Sequence, residues 1–408
     1  MFRLVSLAWR NLWRNTRRTV ITMSALALGC AGIVGLHSYR ESTYAIVVHD
    51  ITEGLIGHLQ VHGQGYQEAP AISTVVKDPV QVEAAVEGAL PGAKAERRVM
   101  GAGLAGAGEL SSPVMIIGLT PAEKGESSLH TVVEGRDLSP TASREVLLGR
   151  DLARDLGVTP GGELVLVSQA ADGSVANDRY TVVGTFTSPS AEFDQVAVVL
   201  QLQDAQDFFG LGDAVTMVVV RLPEGADRED VTGPTAALRA ALDLKTLEAL
   251  SWGEILPEFR ATMHSKRQGQ RVVDFIVFLI VGLGVFNAMT MSTFERTREF
   301  GVMGALGTRP RRVLALIMTE ALLQGVLAFA AGVLLGAAVL YSVGTVDLSS
   351  VMQGDIMGAR MPSRIDLAVN HAAVKNAALV AFLTVLAGGV VPAVRAARLK
   401  PVEAMRHT

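Results

Sequence analysis

Thiol chemistry is nearly absent from this sequence: its single cysteine, Cys30, lies inside an apolar run. No intramolecular disulfide is therefore available, and any extracytoplasmic portion must be held by its own core. No glycine-rich loop ending in Gly-Lys-Ser/Thr occurs, which leaves the chain without a phosphate cradle for hydrolysing ATP. His-Glu-x-x-His helices, paired-cysteine metal spacings and nucleophile elbows are missing as well, so no enzyme class gains support. Charge is also scarce. Asp, Glu, Lys and Arg make up 19% of 408 residues against 49% hydrophobic residues, and mean hydropathy is +0.35, too apolar for a soluble enzyme of this length. Part of the chain must sit in lipid.

Crossing a bilayer as a helix takes about 20 consecutive apolar residues, and four runs qualify: 19–40, 272–294, 313–341 and 374–394. The formal net charge of −4 hides an uneven distribution. Arg3, Arg10, Arg14, Arg17 and Arg18 precede the first run; Arg296, Arg298, Arg309, Arg311 and Arg312 lie between the second and third; Arg395, Arg398, Lys400 and Arg406 follow the fourth. With four spans all three clusters share one side, which the positive-inside rule makes the cytoplasm. The expected protein is thus a membrane α-helical one with four transmembrane helices and a large α+β extracytoplasmic domain inserted between helices 1 and 2, with both termini cytoplasmic. Its segments are a cytoplasmic interfacial helix (1–18), the first span (19–40), the outer domain (41–271), the second span (272–294), a cytoplasmic loop (295–312), the third span (313–341), an outer loop (342–373), the fourth span (374–394) and a cytoplasmic tail (395–408).

Ala27-Leu28-Gly29-Cys30 faintly resembles a lipoprotein cleavage box and Arg17-Arg18 a twin-arginine signal, but the apolar run continues to Leu36 without a small-residue cleavage site, so a retained helix is expected. Before it, Phe2, Val5, Trp9, Leu12 and Trp13 recur at helical spacing among arginines, the pattern of a helix lying on the inner leaflet. Gly332 and Gly336 in the third span, and Gly388 and Gly389 before Pro392 in the fourth, are small residues that allow close helix packing.

The outer domain reads as short β-rich runs separated by Gly, Pro, Asp and Ser. Strands are expected at 58–62, 114–119, 163–167, 179–186, 196–200 and 215–222, with helices at 79–90, 151–156, 203–209 and 234–242. Breaks near 102–112 and 223–230 divide it into two subdomains, an inner one inserted into an outer one. The stretch 252–271, with Trp252 and Pro257 near its start, reads as a polar helix running into the second span. His58 and His62 would share one face of a strand, but without carboxylate or thiolate ligands nearby no metal site is expected. Asp274 and Glu320 lie within spans, where charge is costly; Asp274 is expected to pair with Arg271, and Glu320 with a cytoplasmic-side arginine or a helix contact.

The loop from Glu295 to Arg312 carries a short charged helix with an apolar face of Phe300, Val302, Met303 and Leu306, ended by Gly307. Such a knob can dock into a groove on a soluble partner. Glu-Arg-Thr-Arg-Glu-Phe-Gly-Val-Met-Gly-Ala-Leu-Gly at 295–307, followed by Glu320-Ala321-Leu322 and Gly325, resembles the hallmark of the FtsX/MacB-type ABC permease superfamily. The tail from Pro392 to Arg406, the opening Trp9-Arg10-Asn11-Leu12 with Arg17-Arg18-Thr19, and the topology resemble the same family.

The resemblance implies a permease that binds no cofactor itself, ATP and Mg being held by a partner ABC ATPase in two copies. That ATPase would dock through Glu295, Arg296, Arg298, Glu299, Phe300, Gly301, Met303, Ala305, Leu306 and Gly307. It also implies a second permease copy or paralogue and mechanotransmission, in which ATP-driven closure moves the outer domains through a stalk at 252–271. Gly57-His58-Leu59-Gln60-Val61-His62-Gly63 with Gly65-Tyr66 resembles the LolC/LolE-related, lipoprotein-releasing branch, which adds membrane lipid and a periplasmic lipoprotein carrier or adaptor to the expected partners and leaves out nucleic acid. The alternatives are MacB-like efflux of drugs or peptides from the periplasm and non-transporting activation of envelope hydrolases.

Overall fold

The apolar runs lie in helices longer than a bilayer requires. A computed structural model describes residues 2–120, 131–188, 191–223, 225, 227, 230–347, 364–367 and 369–398. Helix α1 (Phe2–Leu12) turns through Trp13–Asn15 into α2 (Thr16–Glu53), and Thr19 Oγ1 fixes the turn by donating to the Leu12 carbonyl at 2.7 Å. Next come β1 (Leu59–Gly63), α3 (Pro79–Ala89), β2 (Lys94–Ala107), β3 (Leu110–Leu119), β4 (Thr131–Gly135) and β5 (Glu145–Gly149). They are followed by α4 (Arg150–Asp155), β6 (Glu163–Gln169), β7 (Val175–Thr187), α5 (Ala191–Val196), β8 (Ala197–Gln201) and α6 (Leu202–Phe209). Then β9 (Met217–Arg221), α7 (Thr232–Ala241), β10 (Leu247–Ser251) and α8 (Trp252–Ile255) lead into α9 (Pro257–Glu295) and α10 (Thr297–Ala305). The chain finishes with α11 (Pro310–Val343), the two-stranded pair β11 (Thr345–Asp347) and β12 (Arg364–Asp366), and α12 (His371–Ala397).

Two compact units result. A helical unit comprises Met1–Tyr44, Thr262–Val346 and Arg364–Thr408, and a β-rich unit comprises Ala45–Ala261 with Asp347–Ser363. Among the described residues, four helices are long and apolar enough to cross a membrane: Thr19–Glu53, Pro257–Glu295, Pro310–Val343 and His371–Ala397. The first two overrun the expected spans. At 1.5 Å per residue α9 extends about 58 Å, nearly twice the ~30 Å of hydrocarbon in a bilayer. The polar flanks therefore stay helical beyond residue 40 and before residue 272, because nothing in them breaks a helix. Residues 399–408, including Lys400 and Arg406 of the tail, lie outside the described residues, as do 348–363 of the expected outer loop.

Within the helical unit, glycines set how closely the helices approach. A Cβ on Gly332 would lie 2.6 Å from both the Ala27 carbonyl oxygen and Cys30 Cβ, one on Gly325 would lie 2.7 Å from Val385 Cγ2, and one on Gly388 would lie 2.9 Å from Val285 Cγ1. Helices α2, α9, α11 and α12 thus meet through small residues and share a core of Leu26, Cys30, Val285, Ile317, Ala321 and Val385. Helix α1 packs on α11, burying Ala8 and Leu12 and leaving Val5, Trp9 and Trp13 exposed.

The β-rich unit is a sheet of ten strands among the described residues, in the order β10-β1-β9-β2-β3-β8-β5-β7-β4. Strand β6 pairs with both β2 and β7, so β2, β3, β8, β5, β7 and β6 close into a ring, from which β9, β1 and β10 extend as an open sheet. Sequence patterns misplace several of these elements. The expected break at 102–112 is instead the β2–β3 hairpin, paired from Arg98↔Leu119 to Ala107↔Leu110. Its glycines mark close approach rather than a linker: a Cβ on Gly101 would lie 2.5 Å from Phe209 Cζ, and one on Gly103 would lie 2.7 Å from the Val167 carbonyl oxygen on β6. Strands β2, β4, β5, β10, β11 and β12 and helix α5 are additions to the expected set, and the expected strands and helices differ from the observed ones at their ends.

Candidate functional site

Helix α10 connects the end of α9 to the start of α11 and has well-defined boundaries. At its C-terminus the Thr308 N–H bonds to the Met303 carbonyl at 2.9 Å and the Gly307 N–H to the Gly304 carbonyl at 3.0 Å, the paired bonds of a Schellman motif. Gly307 takes φ +83°, which a side chain would strain, and Pro310 then starts α11 at its first position, where a missing N–H costs nothing.

The helix has two unlike faces. Phe300 is 4% exposed and joins the core formed with Val313 and Ile317; Gly301 is buried and Met303 packs against the same core. Phe300 therefore cannot belong to an outward docking face, which corrects the expected apolar face at that residue; Met303 is half-buried, and Gly301, expected among the docking residues, is turned inward. The spacing i, i+4, i+7, i+8 places Arg298, Val302, Ala305 and Leu306 on the opposite side, all exposed, with Val302 at 44% and Leu306 at 82%. Glu295, Glu299 and Gly307 are exposed beside this stripe. One apolar pair flanked by charge, on a helix rooted at both ends, suits insertion into a groove of a partner.

The root is polar. Arg296, the residue before α10, donates from Nη1 to Glu320 Oε2 at 2.8 Å and from Nε to Glu299 Oε2 at 3.1 Å, and its guanidinium carbon stands 5.1 Å from the Phe300 ring centroid. The second oxygen of Glu320 accepts from Asn11 Nδ2 at 2.6 Å, and Glu299 Oε1 accepts from Arg14 Nη2 at 2.5 Å. Glu320 therefore has the arginine partner expected of it. Asn11 and Arg14, which sequence reasoning did not assign to the site, fasten α10 to the chain's first residues. The prior signals were the place of Asn11 in the Trp-Arg-Asn-Leu opening and that of Arg14 in the N-terminal arginine cluster.

Near the other end of the spans Asp274 does not pair with Arg271 as expected. His37 Nε2 lies 2.9 and 3.0 Å from its two carboxylate oxygens, and Gln270 Nε2 donates at 3.0 Å. Arg40 and Asn376 both point donors at His37 Nδ1, at 3.3 and 3.4 Å, which assigns the ring proton to Nε2. An aspartate at i+3 from an arginine has that partner available, but a buried imidazole on α2 offers a better-directed one. The expected 252–271 stalk also divides. Trp252 belongs to α8, which ends at Ile255, and Pro257 starts α9, which continues unbroken through the second span. Trp252 is buried, with its ring edge-on to Phe259 at 6.4 Å.

His58 and His62 are buried, and the fold brings a carboxylate to them that spacing did not show: Glu248, opposite His62 in the β1–β10 ladder, lies 3.7 Å from His62 Nδ1. Burial pushes the His62 imidazole down to about 4, with Glu248 opposing the shift. His62 Nε2 meets Gln60 Oε1 at 2.8 Å. Among the described residues no group of three His, Cys, Asp or Glu side chains is placed to hold a metal.

The sequence model of the MacB-like periplasmic core domain matches residues 19–236, and that of the FtsX-like permease C-terminal region matches residues 272–401, which includes α10. The chain belongs to the FtsX/MacB-type family of ABC transporter permeases. Members of this permease family work with an ATPase partner. Relatives include a pyoverdine export ATP-binding/permease protein of Pseudomonas syringae pv. tomato, 24% identical over 98% of this chain and 59% of its own length. The chain thus spans 59% of the length of that relative. The LolC transmembrane protein of the lipoprotein-releasing system in Xylella fastidiosa is 24% identical over 86% of this chain and 85% of its own. Among solved structures, the periplasmic region of MacB from Actinobacillus actinomycetemcomitans aligns with a TM-score of 0.36 at 10% identity, over 50% of this permease and 92% of that region.

Proposed function

We propose that this permease couples ATP hydrolysis by a separate ATPase subunit to movement of the β-rich unit on the far side of the inner membrane, extracting or exporting lipoproteins or other amphiphilic substrates. The observation that carries the reading is α10. Its exposed stripe of Arg298, Val302, Ala305 and Leu306 is aimed outward, while Arg296, Glu320, Asn11, Glu299 and Arg14 root it to the spans. A push on the stripe reaches α9 and α11 directly, and α9 runs without interruption from Glu295 back to Pro257. In this reading the arginine clusters place α10 and both termini in the cytoplasm. The β-rich unit is periplasmic, and two permease copies work with two ATPase copies. The exposed apolar side chains of α9, among them Phe275, Leu279, Ile280 and Leu283, face lipid or the second copy. ATP and Mg are held by the ATPase.

The test is Leu306→Asp, whose side chain is exposed and whose change leaves the core untouched. ATP hydrolysis stimulated by the permease should be lost while membrane insertion is unchanged. Normal stimulation in that variant would remove α10 from the mechanism.

The relatives named for pyoverdine export align over 98% of this chain, which favours a second reading, efflux of small molecules or peptides from the periplasm. The two separate on depletion: lipoproteins stay in the inner membrane in the first case, whereas in the second they are placed correctly and sensitivity to toxic compounds rises.

A further inference from the structure

The Gly57–Gly63 segment, singled out by its resemblance to the lipoprotein-releasing branch, has no part in the α10 stripe, yet it lies where α2 ends. A helix terminus leaves its last carbonyls without partners. Here the carbonyl of Glu53, the last residue of α2, and the three that follow it each take a side-chain donor from the sheet. Arg221 donates to Glu53 from Nε and to Gly54 from Nη2, both at 3.1 Å; Arg98 Nη1 donates to Leu55; Gln60 Nε2 donates to Ile56 at 2.7 Å. The donors stand on β9, β2 and β1, and Glu96 pairs with both arginines. At Gly57, φ is +76° and a Cβ would lie 2.3 Å from Val219 Cγ1, so the chain can run onto β9 only through glycine.

His58 then ties the returning chain to the same place. Its N–H donates to the Val220 carbonyl at 2.9 Å, its Nδ1 accepts from the Leu222 N–H at 3.3 Å, and its carbonyl accepts from the Trp252 N–H at 3.1 Å. Trp252 opens α8, which leads through Leu256 to Pro257 and α9. The end of α2 and the approach to α9 therefore meet in one hydrogen-bonded knot.

Arg98 holds a particular position in the sheet. It is the last β2 residue paired with β9, opposite Met217, and the first paired with β3, opposite Leu119, so it marks where the open sheet passes into the ring. It is 1% exposed, and burial pushes its guanidinium down to about 9, leaving it charged at neutral pH. A buried charge is a costly way to satisfy one carbonyl. A preorganised guanidinium fork is, however, a stiff connector, and a helix C-terminus favours a cation.

We propose that Gly57, His58 and Gln60 with Arg98 and Arg221 form a force-transmitting joint, fastening the end of α2 and the start of α8 to the strand where the open sheet meets the ring. These are positioning residues. The proposal rests on the mechanotransmission reading above and specifies where the transmitted displacement enters the β-rich unit.

The test uses the full permease with its co-purified ATPase in nanodiscs, in a Cys30→Ser background, with spin labels at His49→Cys on α2 and Leu104→Cys on β2. The unsubstituted joint should give one narrow distance, with and without ATP. Arg98→Gln with Arg221→Gln should broaden it and abolish ATP-driven displacement of a label at Val175→Cys while ATP hydrolysis persists. Gln60→Leu, a milder change that keeps both charges, should broaden the distance in the same direction and serves if the double variant fails to fold. A narrow distance and retained displacement in Gln60→Leu and in any folded double variant would overturn the joint, even if melting temperature falls. A narrow distance in the unsubstituted joint with no response of the Val175→Cys label to ATP would instead overturn the functional reading.

Discussion

Arg296 and Glu320 meet at 2.8 Å, tying the residue that precedes α10 to the interior of α11. Both side chains are largely buried, at 12% and 9% exposure. Removing one partner strands the other, which costs on the order of 3 kcal/mol. Glu320→Leu should therefore lower the melting temperature of the detergent-solubilised permease and uncouple the ATPase. The double variant Arg296→Met with Glu320→Leu should be more stable than the sum of the single losses predicts. Additive losses would show that the two residues act separately.

The glycine contacts give a graded expectation. Gly332→Val places branched carbon where Ala27 O and Cys30 Cβ already stand within 2.6 Å of a Cβ, so α2 and α11 must separate. Gly284→Ala meets nothing within 4 Å. The first change should abolish a monodisperse, folded permease in size-exclusion chromatography and the second should leave it intact. Equal tolerance of both would contradict the close packing described for the helical unit.

A pH dependence follows from His62. Its imidazole lies at about 4 in the fold against 6.5 when free, so between those values the unfolded chain binds the additional proton. Stability of the β-rich unit should then be full above 6.5 and fall as pH drops toward 4, by roughly 3 kcal/mol in total. Trp252 is the sole tryptophan of that unit. In a Trp9→Phe, Trp13→Phe background its fluorescence reports unfolding, and His62→Gln should flatten the dependence across this window. An unchanged slope would assign the effect elsewhere.

Gly307 tests the end of α10. With φ at +83° and open space around it, Gly307→Ala is opposed by backbone conformation and not by a clash, a cost of about 1 kcal/mol. The loss should appear as a partial fall in permease-stimulated ATP hydrolysis, milder than for Leu306→Asp. Equal defects would mean that Gly307 itself touches the partner.

What sequence could and could not reveal follows from the range of the forces involved. Apolar runs report a solvent, so the long helices were legible from 20-residue windows, and Gly307 marked the end of α10 because its constraint is local. Strand β2 was hidden because Gly101 and Gly103 lower strand propensity, while the reason for them, Phe209 and β6, lies far along the chain. The sidedness of α10 differs from expectation at Phe300, since an apolar residue signals burial without saying against what. The partners of Asp274 and of the α2 carbonyls are set by tertiary structure: nothing near Arg98 or Arg221 indicates that each reaches a carbonyl at the end of α2.

The most direct measurement of transmission is the distance between labels at Val175→Cys, an exposed position of the β-rich unit, in the two permease copies of a reconstituted complex, with Cys30→Ser throughout. Replacing ADP by a non-hydrolysable ATP analogue should shift that distance when α10 is intact and leave it unchanged in Leu306→Asp. A shift of the same size in Leu306→Asp, or none with α10 intact, would contradict the coupling of the ATPase to the β-rich unit through α10.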